Sequence, residues 1–331
     1  MDKTASAAFA AVTADSARNP IRVTIAIVTY CSAAELGPCL DSILSSGVSA
    51  KVVVIDNDST DNTLDLARGY AKRHDNVVAL ASGGNIGLAA GNNVVMPYIE
   101  GDYVLILNPD TVLDPGALAS LVAALDRNPR IGAIGPKCVY EDGTPHTSYH
   151  HGWGLGHLLV WRLLPYSLTR SLYDRWARYR EGEVGFVSGA CLLTRAGVFR
   201  QIGGYDPRYF LTVEDACDLC LRIRDAGYST VFYPRAQITH LCGRSGEQVP
   251  YLTTLEGYKG DVYHFLKHRG RIGGWAAFLI ILFACTVKIG VSLLKVGLRR
   301  RPIDAQNLAV YRRILPKLLS FGPGIAYTSE R

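Results

Sequence analysis

The strongest constraint on the fold is a repeated alternation of short apolar runs with longer amphipathic segments over the first 140 residues. The runs at 23–29 (VTIAIVT) and 51–56 (KVVVID) are rich in β-branched residues, which is typical of strands covered on both faces. Further runs lie at 77–81 and 103–107, and helical patterns lie between the runs, at 33–46, 62–73, 88–98 and 115–125. This order predicts an α/β fold with a mostly parallel, Rossmann-like nucleotide-binding sheet.

Composition and charge limit the classes of protein to be considered. The chain has 331 residues, of which 48% are hydrophobic and 19% charged, so we expect a globular protein with ample core. The net charge of +6 is uneven, with arginine clusters at 299–301 and at 162–180. Such clusters suit an anionic partner or are solvated surface charge. We predict no nucleic-acid partner.

The eight cysteines and the N-terminus both favour a reducing, cytoplasmic setting. The cysteine spacings are irregular and do not form a disulfide framework, and the first residues lack the apolar core of a secretory signal. Cys217 and Cys220 form a single CxxC pair. Without a second cysteine pair or nearby histidines, we interpret this pair as two packed side chains rather than as a zinc site.

Polar residues follow the predicted strands where a ligand of an open α/β sheet binds. The run YVLILNPD ends in Asp110, and a carboxylate at that edge can hold a divalent metal against a phosphate. Asn108 and Asp110 also suit a turn around Pro109. Asp56 and Asp58 follow the second strand, where short polar side chains can bind a base or ribose or cap the next helix.

A glycine- and amide-rich segment, GGNIGLAAGNN at 83–93, precedes a predicted helix. Its glycines permit close backbone approach, and the helix N-terminus suits a pyrophosphate. Neither common nucleotide fingerprint is present, because TYCSAAELG follows the first strand instead of GxGxxG, and GxxxxGK[ST] is absent. NAD-dependent and P-loop chemistry are therefore disfavoured.

A second acidic focus follows an irregular Gly-, His- and Arg-rich segment and a strand-like run at 184–194. Glu214, Asp215 and Asp218 cluster at the start of a predicted helix, where acids also occur for helix-dipole reasons alone. Asp218 and Arg222 are four residues apart and suit a structural salt bridge. We interpret the two acidic foci as a metal site and a general base. His240 follows a strand predicted at 230–233 and suits either a structural or a metal-binding role.

Six ordered motifs resemble glycosyltransferase family 2. They are VTY, VIDNDSTDNT, GGNIGLAAGNN, LNPDT, FVSGACLLTRAGVFRQIGGYDPRYF and the ED pair at 214–215. The resemblance covers about residues 21–265 and is strongest to the rhamnosyltransferase-like branch, which elongates polyprenyl-linked glycans. It implies a GT-A fold with a nucleotide-binding half at 21–140 and an acceptor and catalytic half at 141–265, between a flexible 1–20 segment and a helical 266–331 region.

The resemblance also implies residue roles. Asp110 would be the principal ligand of Mg²⁺ or Mn²⁺, with His240 near the metal and Asn108 in place of the first aspartate of the DxD motif. Asp215 would be the general base. The resemblance places the other predicted donor-binding residues at the positions of Thr29, Tyr30, Asp56, Asp58, Gly84, Asn85, Gly87, Asn92, Asn108, Ser188, Gly189, Glu214, Arg244 and Ser245.

The C-terminal region contains an apolar segment at 275–298. Its uninterrupted apolar part has 13 residues, fewer than the roughly 20 that span a bilayer. Two lysines and an arginine cluster follow, so we predict a helix that lies in the membrane interface. A tilted span and a buried soluble helix are the alternatives.

The expected function is that of an inverting, metal-dependent glycosyltransferase at the cytoplasmic face of the plasma membrane, as a peripheral or monotopic protein. Following the resemblance, the donor would be dTDP-rhamnose and the acceptor a polyprenyl-diphosphate-linked saccharide for cell-envelope glycan. The alternatives are another sugar nucleotide (UDP-galactofuranose, a UDP-hexose or dTDP-fucose), a sugar-phosphate nucleotidylyltransferase, and a non-catalytic membrane scaffold. The oligomeric state is left open.

Overall fold

The computed structural model describes residues 20–165, 168–169, 180–211, 214–241, 250–299 and 301–327. Within these residues, ten strands form one sheet and two more form a small ribbon. In chain order the strands are β1 Val23–Thr29, β2 Ala50–Asp56, β3 Val77–Ala81, β4 Tyr103–Leu107, β5 Thr111–Leu113, β6 Ile131–Val139, β7 Pro145–His146, β8 Tyr149–His150, β9 Gly182–Glu183, β10 Phe186–Val187, β11 Cys191–Arg195 and β12 Ser229–His240.

The helices connect and cover these strands. They are α1 Ala33–Leu44, α2 Thr63–Arg73, α3 Leu88–Asn93, α4 Ala117–Arg127, α5 Leu155–Leu163, α6 Ala196–Gln201, α7 Glu214–Asp225, α8 Pro250–Arg299 and α9 Pro302–Phe321. Short 3₁₀ helices lie at Met96–Tyr98 and Gly322–Tyr327.

Strand order and register bring the polar strand ends to one edge. The order is β3-β2-β1-β4-β11-β6-β12-β5, with β7 on β6 and β9 on β12. The first four strands run parallel, so Thr29 lies opposite Asp56 and the end of β4 lies beside them. β11 is antiparallel to β4, and β12 is parallel to β6 and antiparallel to β5. The sheet is therefore mixed and mostly parallel, as predicted.

The buried strands separate two apolar layers, which explains their continuous hydrophobic sequences. In β1, Ile25 and Ile27 pack with residues of α1 and α4, while Ala26 and Val28 face the opposite layer. Every residue of β1 and β4 is buried. Because successive side chains alternate between faces, a strand covered on both sides must be apolar throughout.

Several predicted boundaries are wrong. The helix predicted at 88–98 ends at Asn93 and continues as a separate 3₁₀ turn. The strand-like run at 184–194 is interrupted at Ser188–Ala190, so it divides between β10 and β11. β12 continues to His240 instead of ending at 233, and β6 was not predicted at all. Short strands and interrupted runs carry too weak a periodic signal for their pairing to be read from one sequence.

The apolar C-terminal segment lies within α8, which bends at Gly270. Gly270 has φ 65° and ψ −167°, a backbone conformation essentially restricted to glycine. One side of the helix after the bend is buried against α9, with Ile281 and Cys285 inaccessible and in contact with Ile314. Within the described residues, one helix, Pro250–Leu298, is long and apolar enough to cross a membrane.

Candidate active site

The end of β2 forms a hydrogen-bonded turn around two buried polar side chains. Asp56 is 3% exposed. Its carboxylate accepts hydrogen bonds from Thr29 Oγ1 at 3.3 Å and from the Ser59 N–H at 3.1 Å. Asn57 donates through Nδ2 to Asn85 Oδ1 at 2.9 Å and accepts from the Ile86 N–H at 3.0 Å. Asp56 therefore shapes the strand end, while Asn57 joins it to the glycine-rich segment.

In the glycine-rich segment, packing inside the protein explains one of the glycines. A Cβ at Gly87 would lie 2.6 Å from the Phe210 ring, and its φ is 86°. The following Leu88 N–H donates to the Phe210 carbonyl at 2.6 Å. Gly84 has φ 156° and open space around its Cβ position. At position 87 a side chain is excluded by contact with Phe210. At position 84 there is space for a side chain, so packing does not explain the glycine.

The predicted metal residues meet because β12 ends opposite β5. His240 pairs with Thr111 across the sheet, which places it beside Asp110. The distance from His240 Nε2 to Asp110 Oδ1 is 3.3 Å, and the Leu241 N–H donates to the Asp110 carbonyl at 3.0 Å. Their side chains retain 11% and 16% exposure. The His146 ring lies edge-on against His240, with centroids 5.3 Å apart.

The turn predicted at Pro109 is present. Asn108 donates its N–H to the Ala190 carbonyl at 3.0 Å, and its carbonyl accepts from Thr111 Oγ1 at 2.7 Å. These bonds hold the backbone of Asn108 between β4, β5 and the Ser188–Ala190 interruption. Within the NPD sequence, Asp110 is thus the one carboxylate, and it lies at the sheet edge.

A divalent cation fits the Asp110 and His240 side chains only together with further oxygen ligands. Within the described residues, no group of three or more His, Cys, Asp and Glu side chains is arranged to hold a metal ion. One or two protein ligands supplemented by water and substrate phosphates are the usual arrangement for Mg²⁺. The donor set is therefore that of a metal shared with a bound diphosphate.

Asp215 lies at the start of α7 and is 4% exposed. Burial raises the pKa of its carboxyl to about 7, the Ala216 N–H that it accepts lowers that pKa, and the nearby Asp218 raises it. A carboxyl group with a pKa near neutrality exchanges a proton readily at physiological pH, which is the requirement for a general base.

The other two buried acids of α7, Asp218 and Glu214, have different partners. Asp218 is fully buried and contacts Arg222 Nε at 2.8 Å, His268 Nε2 at 2.8 Å and Lys267 Nζ, so its pKa falls to about 2 although burial opposes this. The predicted Asp218–Arg222 salt bridge is confirmed. Glu214 is 2% exposed, and burial, followed by the neighbouring Asp261, raises its pKa. Glu214 thus faces the protein interior.

The small residues between β10 and β11 connect the two acidic foci. The Ser188 N–H donates to the Ser148 carbonyl at 2.8 Å, and Ser188 Oγ accepts from the Ala190 N–H at 3.3 Å. A Cβ on Gly189 would lie 3.5 Å from Cβ of Ala216, the residue after Asp215. Because the Ala190 carbonyl also accepts from the Asn108 N–H, this segment contacts both the turn that carries Asp110 and the start of α7.

The remaining predicted residues are distributed around this edge. Tyr30 is half-buried after β1, Asp58 is exposed with φ 69°, and Asn92 is 2% exposed within α3. Arg244 and Ser245 lie outside the described residues.

Residues 24–203 match glycosyl transferase family 2. The N-acetylglucosaminyl-diphospho-decaprenol L-rhamnosyltransferase of Mycobacterium tuberculosis is 32% identical over 272 residues, which cover 76% of this chain and 86% of that protein. The chain belongs to glycosyl transferase family 2. The rhamnosyltransferase WbbL of Escherichia coli K12 is 24% identical over 231 residues, covering 66% of this chain and 83% of that protein.

Solved structures agree on the fold of this family 2 glycosyltransferase. The mannosyltransferase PcManGT from Pyrobaculum calidifontis, in complex with GDP-Man and Mn²⁺, superposes with a TM-score of 0.54 at 16% identity, covering 92% of this chain and 87% of that chain. Staphylococcus aureus TarS 1-349 in complex with UDP-GlcNAc gives a TM-score of 0.50 at 14% identity, covering 88% and 79%. The predicted GT-A fold and the family are confirmed.

Three contacts of the glycosyltransferase were not predicted from its sequence. The His146 ring lies edge-on against His240, Phe210 covers Gly87, and Asp261 and Arg162 lie beside Glu214. The family motifs give no signal for Asp261, which lies in a different helix. Arg162, which the sequence places in a possible anion-binding cluster, is instead paired with Asp261 and mostly buried.

Proposed function

We propose that this glycosyltransferase is an inverting, metal-dependent enzyme that transfers L-rhamnose from dTDP-rhamnose to a polyprenyl-diphosphate-linked saccharide. The observation that carries the proposal is the position of Asp215, a buried carboxyl group with a pKa of about 7. The Ser188–Ala190 segment contacts both the start of α7, which carries Asp215, and the turn that carries Asp110. A base and a phosphate-binding edge that border the same segment suit a single displacement at the anomeric carbon.

In the proposed reaction, Asp215 takes the proton of the acceptor hydroxyl as its oxygen attacks the sugar. Asp110 and His240 would hold Mg²⁺ or Mn²⁺ at the donor diphosphate, with Asn108 beside them. The metal, when bound, stabilises negative charge on the leaving nucleoside diphosphate. The small size of Ser188 and Gly189 is proposed to leave space for the sugar.

The nucleoside is proposed to bind at the ends of β1 and β2. Thr29, Tyr30, Asp56 and Asp58 border that edge, and the bonded pair of Asn57 and Asn85 fixes the loop that follows. Gly84, Gly87 and Asn92 shape the glycine-rich segment next to it. Arg244 and Ser245 follow His240 in the sequence and are proposed, from the family resemblance alone, to bind the diphosphate.

The donor and acceptor classes are supported by relatives. The M. tuberculosis relative is a decaprenol-linked L-rhamnosyltransferase, and the E. coli relative is also a rhamnosyltransferase. PcManGT was solved with GDP-Man and Mn²⁺, which supports a divalent metal in this fold. A different sugar nucleotide with the same chemistry is the second candidate.

The C-terminal helices are proposed to hold the enzyme at the cytoplasmic face of the membrane. Ile272, Trp275, Leu279 and Phe283 are 86%, 54%, 57% and 57% exposed and follow one another at three- or four-residue spacing on α8. That spacing places them on one helical face, and an exposed apolar face of this length suits the interface of a bilayer. Leu319 and Phe321 of α9 are exposed as well.

The decisive experiment incubates the purified protein with a polyprenyl-diphosphate-linked GlcNAc acceptor and a panel of sugar nucleotides, with Mg²⁺, Mn²⁺ or EDTA. We expect a deoxyhexose mass shift on the lipid-linked acceptor with dTDP-rhamnose, and its loss in EDTA. Transfer from a UDP-sugar alone would replace the donor assignment, and full activity in EDTA would overturn the metal assignment.

Membrane attachment is tested separately by sedimentation with anionic phospholipid vesicles. Trp275→Ser with Leu279→Ser should release the protein into the supernatant, because both exposed apolar side chains are lost. Substituting the exposed but unrelated Leu168→Ser provides the matched control and should leave sedimentation unchanged. Equal sedimentation of the double variant and the parent would contradict interfacial binding through this face.

A further inference from the structure

Glu214 precedes the proposed base and is buried against two helices from other parts of the chain. The guanidinium of Arg162, in α5, donates through Nε to Asp261 Oδ2 at 2.6 Å and through Nη2 to the Gly257 carbonyl at 2.9 Å. Asp261, in α8, has no exposed side-chain surface, and Arg162 has 15%. The Arg162 carbon Cζ also lies 5.2 Å from the centroid of the Tyr258 ring.

The carboxyl groups of Glu214 and Asp261 lie within hydrogen-bonding reach of each other. Across the described residues, Oε2 of Glu214 and Oδ1 of Asp261 are buried without a hydrogen-bond donor. Two ionised carboxylates in contact would repel each other and leave both oxygens without a donor. A single proton between the two groups removes the repulsion and supplies the missing hydrogen bond.

The charge count of this cluster agrees with one proton. Arg162 carries one positive charge and its nearest acid, Asp261, carries one negative charge. Among the described residues, a second buried carboxylate would have no cation of its own in direct contact. Lys267 of α8 pairs with Asp206 and Asp218, and Nζ of Lys288 lies 5.4 Å from the centroid of the Tyr311 ring. An unpaired buried charge is strongly unfavourable, so the neutral form of the second acid is favoured.

We infer that Glu214 is a neutral carboxylic acid that donates a hydrogen bond to the Asp261 carboxylate, and that this contact positions the first turn of α7, which carries Asp215. Glu214 is therefore a positioning residue and does not itself receive the acceptor proton. This inference rests on the proposed role of Asp215 as the base. The family resemblance implies that Glu214 binds the donor, and the positioning role is an alternative to that assignment.

The contact joins the base to the C-terminal helices. Asp261 lies nine residues before the bend at Gly270, and the segment after the bend is the one proposed to contact the membrane. α8 also holds α7 through Lys267 and His268, which contact Asp218. α7 is thus fixed to α8 at its first turn and again one turn later.

The protonation state is tested by infrared difference spectroscopy of the full-length protein at pH 9. At that pH Asp215, whose pKa is about 7, is ionised and does not contribute. We expect the carbonyl band of a protonated carboxylic acid in the parent protein, and its loss in both Glu214→Gln and Asp261→Asn. In Asp261→Asn the band is lost because Arg162 then pairs with an ionised Glu214. Absence of the band from the parent would overturn the inference.

The positioning role is tested by kinetics with the donor and acceptor of the proposed reaction. Glu214→Gln should keep kcat within about threefold, because the amide still donates to Asp261, whereas Glu214→Ala should lower kcat about 10²-fold with little change in donor KM. An equal loss in Gln and Ala variants would show that an ionised Glu214 is needed and would contradict the inference. So would an unchanged kcat in Glu214→Ala.

A matched control separates positioning from general destabilisation. Glu256→Ala removes the partner of Lys259, a buried ion pair of 2.6 Å on the same helix that does not contact α7. We expect reduced stability with unchanged kcat in the folded fraction. If the parent protein transfers no sugar at all, the proposed function fails, while the infrared measurement still decides the protonation of Glu214.

Discussion

The two acidic foci of this glycosyltransferase are built in opposite ways. Asp110 and His240 lie at strand ends, keep part of their side chains exposed and contact each other at 3.3 Å. In α7, Glu214, Asp215 and Asp218 are buried, and Asp218 alone contacts three cationic or protonatable side chains.

The difference shows which part of the site depends on a ligand. Among the described residues, the Asp110 edge has no group of three or more metal-binding side chains, so under the proposed function diphosphate oxygens would complete the coordination of a cation there. In contrast, α7 is already fixed by interactions within the protein. A base needs a fixed position and a raised pKa, and both come from burial.

The largest expected effect is on turnover at the buried focus. Asp215→Asn should lower kcat about 10³-fold or more, because the amide cannot accept the acceptor proton, while donor affinity stays within about twofold. Steady-state kinetics and donor titration measure the two quantities. Asp225→Asn, exposed at the other end of α7, is the control. Near-normal turnover of Asp215→Asn would remove Asp215 from the mechanism.

The same substitution should stabilise the protein. An unfolded Asp has a pKa of about 3.9, whereas burial raises that of folded Asp215 to about 7. Between these values the folded state binds more protons, so stability falls as pH rises, and above pH 7 ionised Asp215 opposes folding. Asp215→Asn should therefore raise the free energy of unfolding at pH 8 by as much as about 4 kcal/mol. Urea unfolding at pH 8 and pH 4 measures this, and an equal gain at both pH values would contradict it.

At the exposed focus the expected effect is on ligand binding. Asp110→Asn should weaken metal-dependent donor binding about 10²-fold, because the carboxylate is the main protein charge on the metal. Titration calorimetry of the donor with and without Mn²⁺ measures how much of the donor affinity depends on the metal. Asp114→Asn is a nearby control, since Asp114 accepts from Gln237 Nε2 at 2.8 Å and does not contact His240. An unchanged metal dependence in Asp110→Asn would move the metal elsewhere.

The pH dependence of kcat tests the buried focus separately from the exposed one. Because Asp215 acts as a base only when ionised, kcat should fall about tenfold for each pH unit below 7 and level off above it. Rates measured at saturating donor and acceptor between pH 5 and 9 give this profile. A flat profile across pH 7 would show that Asp215 is not the titrating base.

The smallest expected effect is at the second metal ligand. His240→Gln should weaken metal-dependent donor binding about tenfold, less than the loss at Asp110, because a neutral ligand contributes less charge. His146→Phe keeps the ring against position 240 and provides the control. A larger loss for His240→Gln than for Asp110→Asn would reverse the proposed order of the two ligands.

The parallel half of the sheet and the Asp110 edge could be predicted because their signals are local. β1, β3 and β4 have the predicted bounds, since continuous apolar runs ending in polar turns are distinctive. The partners of Glu214 could not be predicted, because Arg162 and Asp261 are 99 residues apart and neither belongs to a motif. Gly87 is predicted as a donor-binding residue, and the sequence gives no signal for its contact with Phe210, which depends on tertiary packing.

The sequence by itself determined the α/β class, the family, and the residue types at the ends of the strands, because these depend on periodicity and on order along the chain. Only the tertiary structure decided which acids are buried, that His240 meets Asp110 through the pairing of β12 with β5, and that α8 holds α7. The physical reason is that burial and charge pairing depend on elements distant in sequence. The pKa of a carboxyl group is set by those neighbours, and a single sequence does not specify them.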